Sequence, residues 1–318
     1  MRLLILGAAG VLGSATAREA IRRDHEVHVL LRPSADAARL SDCEGMLAQH
    51  RIDLEDSAGV QELLTGLRPH AIVHAAFSRG HPQSAAARED MLKRGLGASF
   101  GLLEALRAAK FDGALVYLGS MASYGPAPEP HHPTHLLQPT SFRGMVKAAE
   151  SLMFGQFARE SQRIVTELRV SSAYGPWQHR TGILSHLVAA ALMDKRVQLT
   201  KQPVFRDWVY MEDVADACLH ACRCDTPGGR IFNVCSGTLT STHAAAQVLE
   251  KLTGRRLIGD GFYSGMDDYG DSQPVGALPR PEDGFPWRPT HDLQSGLEAY
   301  WSWATSRTGR SYLLQDRS

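Results

Sequence analysis

The chain has no excess charge of either sign: 34 Lys and Arg balance 34 Asp and Glu across 318 residues. That balance removes the electrostatic case for nucleic acid or an anionic membrane as a partner. Long apolar runs are missing as well. Although 43% of residues are hydrophobic, no stretch reaches the roughly 18 apolar residues that a membrane-spanning helix needs. The opening MRLLILGAAG has only four consecutive aliphatic residues before glycine, too few for a signal peptide, so a soluble, cytoplasmic protein is expected. Cysteine is scarce and odd in number: Cys43, Cys218, Cys222, Cys224 and Cys235. Without an export signal this argues for reduced thiols rather than a disulfide framework. In CLHACRC (218–224), Cys218 and Cys222 share a helix face while His220 points away, and no second ligand pair follows. Buried small residues, and no metal site, are therefore expected.

What is present is alternation. Short aliphatic runs at 2–6, 26–31, 50–52, 71–76, 114–120 and 163–170 read as strands, and helical patterns occupy 11–23, 57–66, 85–109 and 143–161. Continuous apolar strands separated by helices predict a parallel sheet covered on both faces. Right-handed crossovers then make it doubly wound, an α/β Rossmann-like fold. Beyond YGPWQ (174–178) the alternation weakens: 181–193 reads as a helix and 206–222 as a strand followed by one. Residues 263–289, rich in Gly, Pro and Asp, read as irregular and exposed. The predicted organisation is a nucleotide-binding domain over 1–175, to which 203–238 returns, and a smaller C-terminal substrate lobe over 176–318.

ILGAAGVLGSATAREA places Gly7, Gly10 and Gly13 directly after a strand and at the opening of a helix. The first glycine allows the tight turn, the second lets a pyrophosphate approach, and the third permits close helix–strand packing. At the end of the second strand, an NAD-preferring site keeps a carboxylate for the ribose 2′-hydroxyl. Here Leu31 stands there, followed by Arg32, whose guanidinium suits a 2′-phosphate. NADP is the expected cofactor, with NAD the alternative.

These motifs resemble the extended short-chain dehydrogenase/reductases, the NAD(P)-dependent epimerase/dehydratase group acting on nucleotide sugars, over nearly the whole chain. The resemblance implies that Val11 and Leu12 contact the cofactor with the glycines. In RIDLED it implies that Asp53 faces the adenine and Leu54 packs near it, and in AIVHAAF that Ala75, Ala76 and Phe77 line the cofactor. LVYLGSMASYG is similar to the active-site serine strand, with Ser120 four residues before Tyr124. FRDWVYMEDVADA resembles the motif whose arginine, here Arg206, holds a sugar-nucleotide phosphate. LRVSSAYGPWQ leads into the substrate lobe, with Ser172 where relatives keep an Asn that helps seat that phosphate. FNVCSGTLTS and FPWRPTHDLQSGL complete the pattern. Such relatives are commonly dimers pairing two long helices per subunit, a task for which Val146, Ala149, Leu152, Met153 and Phe157 form an apolar stripe; internal packing is the alternative.

The departures from that family fall in TSFRGMVKAAE (140–150). Relatives use a Tyr, a Lys four residues later, a Ser or Thr, and usually an Asn; the Tyr transfers the proton and the Lys holds the nicotinamide ribose. Lys147 and Ser120 match, but Arg143 stands at the Tyr position and Gly95 at the Asn. No Tyr lies within ten residues of Arg143. A guanidinium is a poor acid and cannot be a base, so losing the Tyr should cost about 10²–10⁴ in rate unless another group substitutes. An arginine is suited to holding a carboxylate, phosphate or enolate. The alternatives for Arg143 are a solvated side chain or an enzyme that has lost activity. Substitute proton donors are Tyr124, His131, His132 and His135, with Tyr174 and His179 near the second lobe; as isolated residues these histidines read as surface groups. Arg79 could add positive charge for an anionic substrate. Two functions follow: an NADP-binding oxidoreductase or epimerase on a small anionic or nucleotide-linked substrate, including a non-redox isomerase, lyase or cyclase with the nucleotide as scaffold, or a non-catalytic NADP-binding sensor.

Overall fold

The computed structural model describes residues 1–77, 82–125, 130–178, 182–261 and 275–314. The first half runs β1 (Arg2–Leu6), α1 (Val11–Arg22), β2 (Glu26–Leu31), β3 (Ala48–Arg51), α2 (Ser57–Leu67), β4 (Ala71–His74), α3 (Ala85–Leu92), α4 (Ala98–Ala108), β5 (Ala114–Ser120), α5 (Phe142–Ser161) and β6 (Ile164–Val170). The second half runs β7 (Ser172–Tyr174), α6 (Ile183–Leu192), β8 (Phe205–Tyr210), α7 (Met211–Ala221), β9 (Gly228–Val234), β10 (Leu239–Ser241), α8 (Thr242–Thr253), α9 (Leu293–Thr305) and α10 (Arg307–Leu314).

Seven parallel strands form the central sheet in the order β3-β2-β1-β4-β5-β6-β9. The order reverses direction at β1, which opens a crevice beyond the carboxyl ends of β1 and β4. Alternate residues of β1 feed two cores. Leu3 and Ile5 join Val29, Val116, Val214 and Cys218 under α1 and α7, while Leu4 and Leu6 join Leu102, Leu106 and Phe154 under α2, α4 and α5. Burying each such aliphatic side chain is worth about 1.5–3 kcal/mol, so the sheet is held from both faces, as a doubly wound fold requires. A separate three-stranded sheet, β10-β8-β7, anchors a further core with α6, α8, α9 and α10.

Three local expectations are corrected. The single helix at 85–109 is two helices, α3 and α4, joined by a wide π turn over Lys93–Gly97; Gly95 and Gly97 weaken regular helix there. The stretch at 263–289 is not exposed throughout: Phe285 and Trp287 are fully buried, and Phe285 stacks on Phe232 of β9 with ring centroids 4.4 Å apart. His131 is likewise no surface group, being completely buried. Among the described residues no helix is long and apolar enough to cross a membrane.

Candidate active site

The glycine loop is built by close approach. Gly7 has φ +80°, and a Cβ there would lie 2.5 Å from Ala76 Cα; at Gly13 a Cβ would lie 2.4 Å from the Gly7 carbonyl oxygen. No side chain fits at either position, which brings the backbone after β1 against Ala75 and Ala76 after β4. Gly10 is the N-cap of α1, with extended backbone and no side-chain cap. The first-turn amides, Val11 and Leu12 among them, therefore have no side chain to satisfy them and suit an anion. This end of the crevice fits the pyrophosphate of a dinucleotide. Further along, Arg32 is exposed just past β2, and Arg51 steadies that turn by donating to the carbonyls of Pro33 and Ala35. Asp53 is half-buried and accepts from the Glu55 amide, while Leu54 packs into the second core.

Ser120 ends β5 and caps the short 3-10 turn Met121–Ser123, its Oγ accepting from the Ala122 amide at 3.2 Å. Helix α5 starts beside that turn: Ser141 caps it by accepting from the Gly144 amide, and a Cβ on Gly144 would lie 2.3 Å from the Ala122 carbonyl oxygen. Only glycine lets the helix come so close. Arg143, half-buried in this first turn, has its guanidinium carbon 5.4 Å from the centre of the Phe77 ring. Lys147, one turn on, has Nζ 4.0 Å from the same ring. The fold thus gathers Phe77, Ser120, Arg143 and Lys147 at the carboxyl ends of β4 and β5, beside the glycine loop.

Lys147 is nearly fully buried and faces inward. Its ammonium donates to the Tyr117 hydroxyl at 3.2 Å and the Leu118 carbonyl at 3.0 Å, and pairs with Glu150 Oε2 at 3.0 Å. Burial lowers its pKa, with the Glu150 carboxylate opposing. Burial alone would raise the Glu150 carboxyl, but Lys147, His74 and hydrogen bonds from Tyr117 and Ser99 hold it below the usual carboxylate range. Gly95 sits alongside: a Cβ there would meet Val146 Cγ1 at 2.9 Å and a Phe77 ring carbon at 3.4 Å. Phe77 and Val146 fill the room that an Asn side chain would need.

Tyr124 is enclosed. Its hydroxyl donates to Asn233 Oδ1 at 2.7 Å, its ring stacks on His131 with centroids 4.8 Å apart, and the Arg169 guanidinium lies 4.7 Å from its centre. Burial pushes its pKa up to about 12. His131 has no hydrogen-bond partner at either ring nitrogen, and burial lowers its pKa. His132 is exposed and His135 half-buried. Tyr174 is buried on β7, where burial raises its pKa. Ser172 begins β7, half-exposed, and Arg206 is buried on β8 with Nη1 donating to the Phe205 carbonyl. Arg79 and His179 lie outside the described residues.

Sequence reasoning missed the polar cluster beneath Lys147, made of His74, Ser99, Tyr117 and Glu150. One signal was available: Glu150 follows Lys147 at i+3 on a helix, the spacing at which an ion pair forms. The other three come from separate elements.

A family model described as the NAD dependent epimerase/dehydratase family matches residues 3–235. The chain is 24% identical to a UDP-glucose 4-epimerase of Corynebacterium glutamicum over 339 aligned positions, covering all of both chains. It is 26% identical to a dTDP-glucose 4,6-dehydratase of Mycolicibacterium smegmatis over 323 positions, 95% of this chain and 93% of the other. Among solved structures, the Thermus thermophilus UDP-glucose 4-epimerase in complex with NAD aligns with a TM-score of 0.80 at 25% identity, covering 95% of this chain and 98% of that one.

Proposed function

The chain belongs to the NAD dependent epimerase/dehydratase family, and we propose that it is an NADP-binding enzyme of that family whose Arg143 holds an anionic group of a nucleotide-linked substrate. The observation that carries this reading is the cation at position 143, set against Phe77 in the first turn of α5, where the helix meets the turn that follows Ser120. A guanidinium does not release its proton at neutral pH, but it binds carboxylate or phosphate oxygens through paired hydrogen bonds. Ser120 has its hydroxyl proton available to donate, because its oxygen is the acceptor in the bond from Ala122. Together the two residues supply positive charge and one donor to an oxyanion. A bound nicotinamide supplies a hydride acceptor or donor.

NADP is favoured over NAD by Arg32 and by the lack of a carboxylate at the end of β2. The substrate class follows from the relatives, which are named for UDP- and dTDP-sugars. Arg206 remains our candidate for the substrate phosphate, with Ser172 on the neighbouring strand β7, where it pairs with Trp208 two residues along β8. Residues 1–175 with β8, α7 and β9 are read as the nucleotide domain, and the rest of the chain as the substrate lobe. A homodimer fits the outward side of α4 and α5, where Phe100 and Leu152 are 58% and 67% exposed, whereas Val146 and Phe157 of the expected stripe pack internally. A cytoplasmic location fits the five free thiols.

The test is equilibrium binding of a uridine diphosphate sugar carrying a carboxylate, against its neutral counterpart, to wild type and Arg143→Ala. Loss of a charge-assisted pair should weaken the acidic ligand by about ten- to a hundredfold and leave the neutral ligand and NADP nearly unchanged. Equal effects on both sugars, or none, would remove Arg143 from the role of anion clamp.

A further inference from the structure

An ammonium has three hydrogens to donate. At Lys147 two of them go to the Tyr117 hydroxyl and the Leu118 carbonyl, and the ammonium pairs with Glu150 Oε2 at 3.0 Å. The hydrogen bonds around them have a fixed sense. Tyr117 donates to Glu150 Oε2 at 2.8 Å and Ser99 donates to Glu150 Oε1 at 2.8 Å. With its proton spent on Glu150, Ser99 Oγ can only accept from His74 Nε2 at 3.2 Å. Both carboxylate oxygens of Glu150 are thus engaged, and the Lys147 ammonium is held by Tyr117, Leu118 and the Glu150 carboxylate. The Phe77 ring covers the ammonium at 4.0 Å, in space that Gly95 leaves open.

We infer that Glu150 is a positioning residue that, with Tyr117 and the Leu118 carbonyl, holds the Lys147 ammonium inside the protein, so that the dinucleotide is held through its adenosine diphosphate half and no lysine donor reaches the nicotinamide ribose. The two ends of the crevice differ in their fit. The glycine loop and the uncapped start of α1 suit a pyrophosphate, as the close approaches at Gly7 and Gly13 require. At the other end, a lysine contact to ribose hydroxyls would need a donor that Glu150, Tyr117 or Leu118 now takes. A lone buried lysine would shed its proton; an acidic partner three residues on keeps the charge and turns it inward.

This inference rests on the nucleotide-binding reading above, and the experiment separates the two. Calorimetric titration compares 2′-phospho-ADP-ribose with 2′-phospho-ADP, which lacks the second ribose, on wild type, Glu150→Gln and the double variant Lys147→Met/Glu150→Gln. The double variant removes both charges together, so it leaves no unpaired buried ion. The expected result is that wild type and the double variant bind the two ligands within about threefold of each other, while Glu150→Gln frees the lysine and favours the ribose-bearing ligand by about tenfold. A merely structural role for Glu150 would weaken both ligands alike and leave their ratio unmoved, which would overturn the inference. It is equally overturned if wild type prefers the ribose-bearing ligand about tenfold or more and the double variant loses that preference. If neither ligand binds wild type, the nucleotide reading falls with it.

Discussion

The Tyr124 hydroxyl donates to Asn233 Oδ1 across 2.7 Å, and Asn233 in turn donates through Nδ2 to the carbonyls of His131 and Ala277. The phenol four residues after Ser120 therefore spends its proton joining the turn after β5 to β9 and to the chain around His131 and Ala277. Burial makes that proton harder still to release.

Tyr124→Phe follows directly. If the phenol were the general acid, its loss would cost about 10²–10⁴ in turnover. The expected outcome is a change below about tenfold, together with a stability loss of about 1–3 kcal/mol from the unpaired Asn233 oxygen. Steady-state kinetics and denaturant unfolding on the same preparation check it. A large rate loss with unchanged stability would restore Tyr124 as proton donor.

That phenol also marks the boundary of what was legible in the sequence. Strands β1, β2 and β5 could be read to the residue, because a parallel strand buried on both faces is a continuous aliphatic run that ends where the chain turns. The glycine loop was legible because each glycine has a steric task that no other residue can perform. Side-chain direction was not. Nothing local shows that Tyr124 turns to Asn233, which lies 109 positions away. Nor does anything local show that Lys147 sits over a carboxylate held by Tyr117 and Ser99. Helices α8, α9 and α10 went unassigned because no intervening strand sets a period; their apolar faces make sense only against α6 and β8 in the third core. Phe285 and Trp287 were hidden by Pro and Gly neighbours, although both are fully buried.

Cofactor preference should rest on Arg32. The residue is exposed at the end of β2, on a turn tied down by the two bonds from Arg51. Replacing it with Ala removes a charge-assisted contact to a 2′-phosphate, so NADP affinity should fall by about ten- to a hundredfold. NAD lacks that phosphate and should change by less than about threefold. Titration of both nucleotides on both proteins measures the difference. Parallel losses would assign Arg32 to the fold of the turn rather than to the phosphate.

The buried cluster under Lys147 also sets a pH dependence of stability. His74 is completely buried on β4 between Ser99, Tyr117 and Phe154, with Lys147 and Glu150 as the charged groups facing it. Burial lowers its pKa from 6.5 to about 4; Glu150 opposes the shift and Lys147 adds to it. Above pH 6.5 the ring is neutral both folded and unfolded, and the histidine imposes no penalty. As pH falls below 6.5 the unfolded chain takes up a proton that the folded chain refuses, so stability declines until the folded ring titrates near pH 4. The slope cannot exceed about 1.4 kcal/mol per pH unit, which gives a loss of roughly 2 kcal/mol by pH 5. The Glu150 carboxyl, held below its ordinary value in the fold, stays ionised there and adds only a small loss of the same sign down to pH 5, common to both proteins, which grows as pH falls further toward 4. Denaturant unfolding of wild type and His74→Gln at pH 7.5 and pH 5 should show this extra acid sensitivity in wild type alone. The variant keeps a donor for Ser99 but has no ring to protonate. Parallel curves for the two proteins would mean that His74 takes up its proton as readily in the fold as in the unfolded chain, with Nε2 still donating to Ser99.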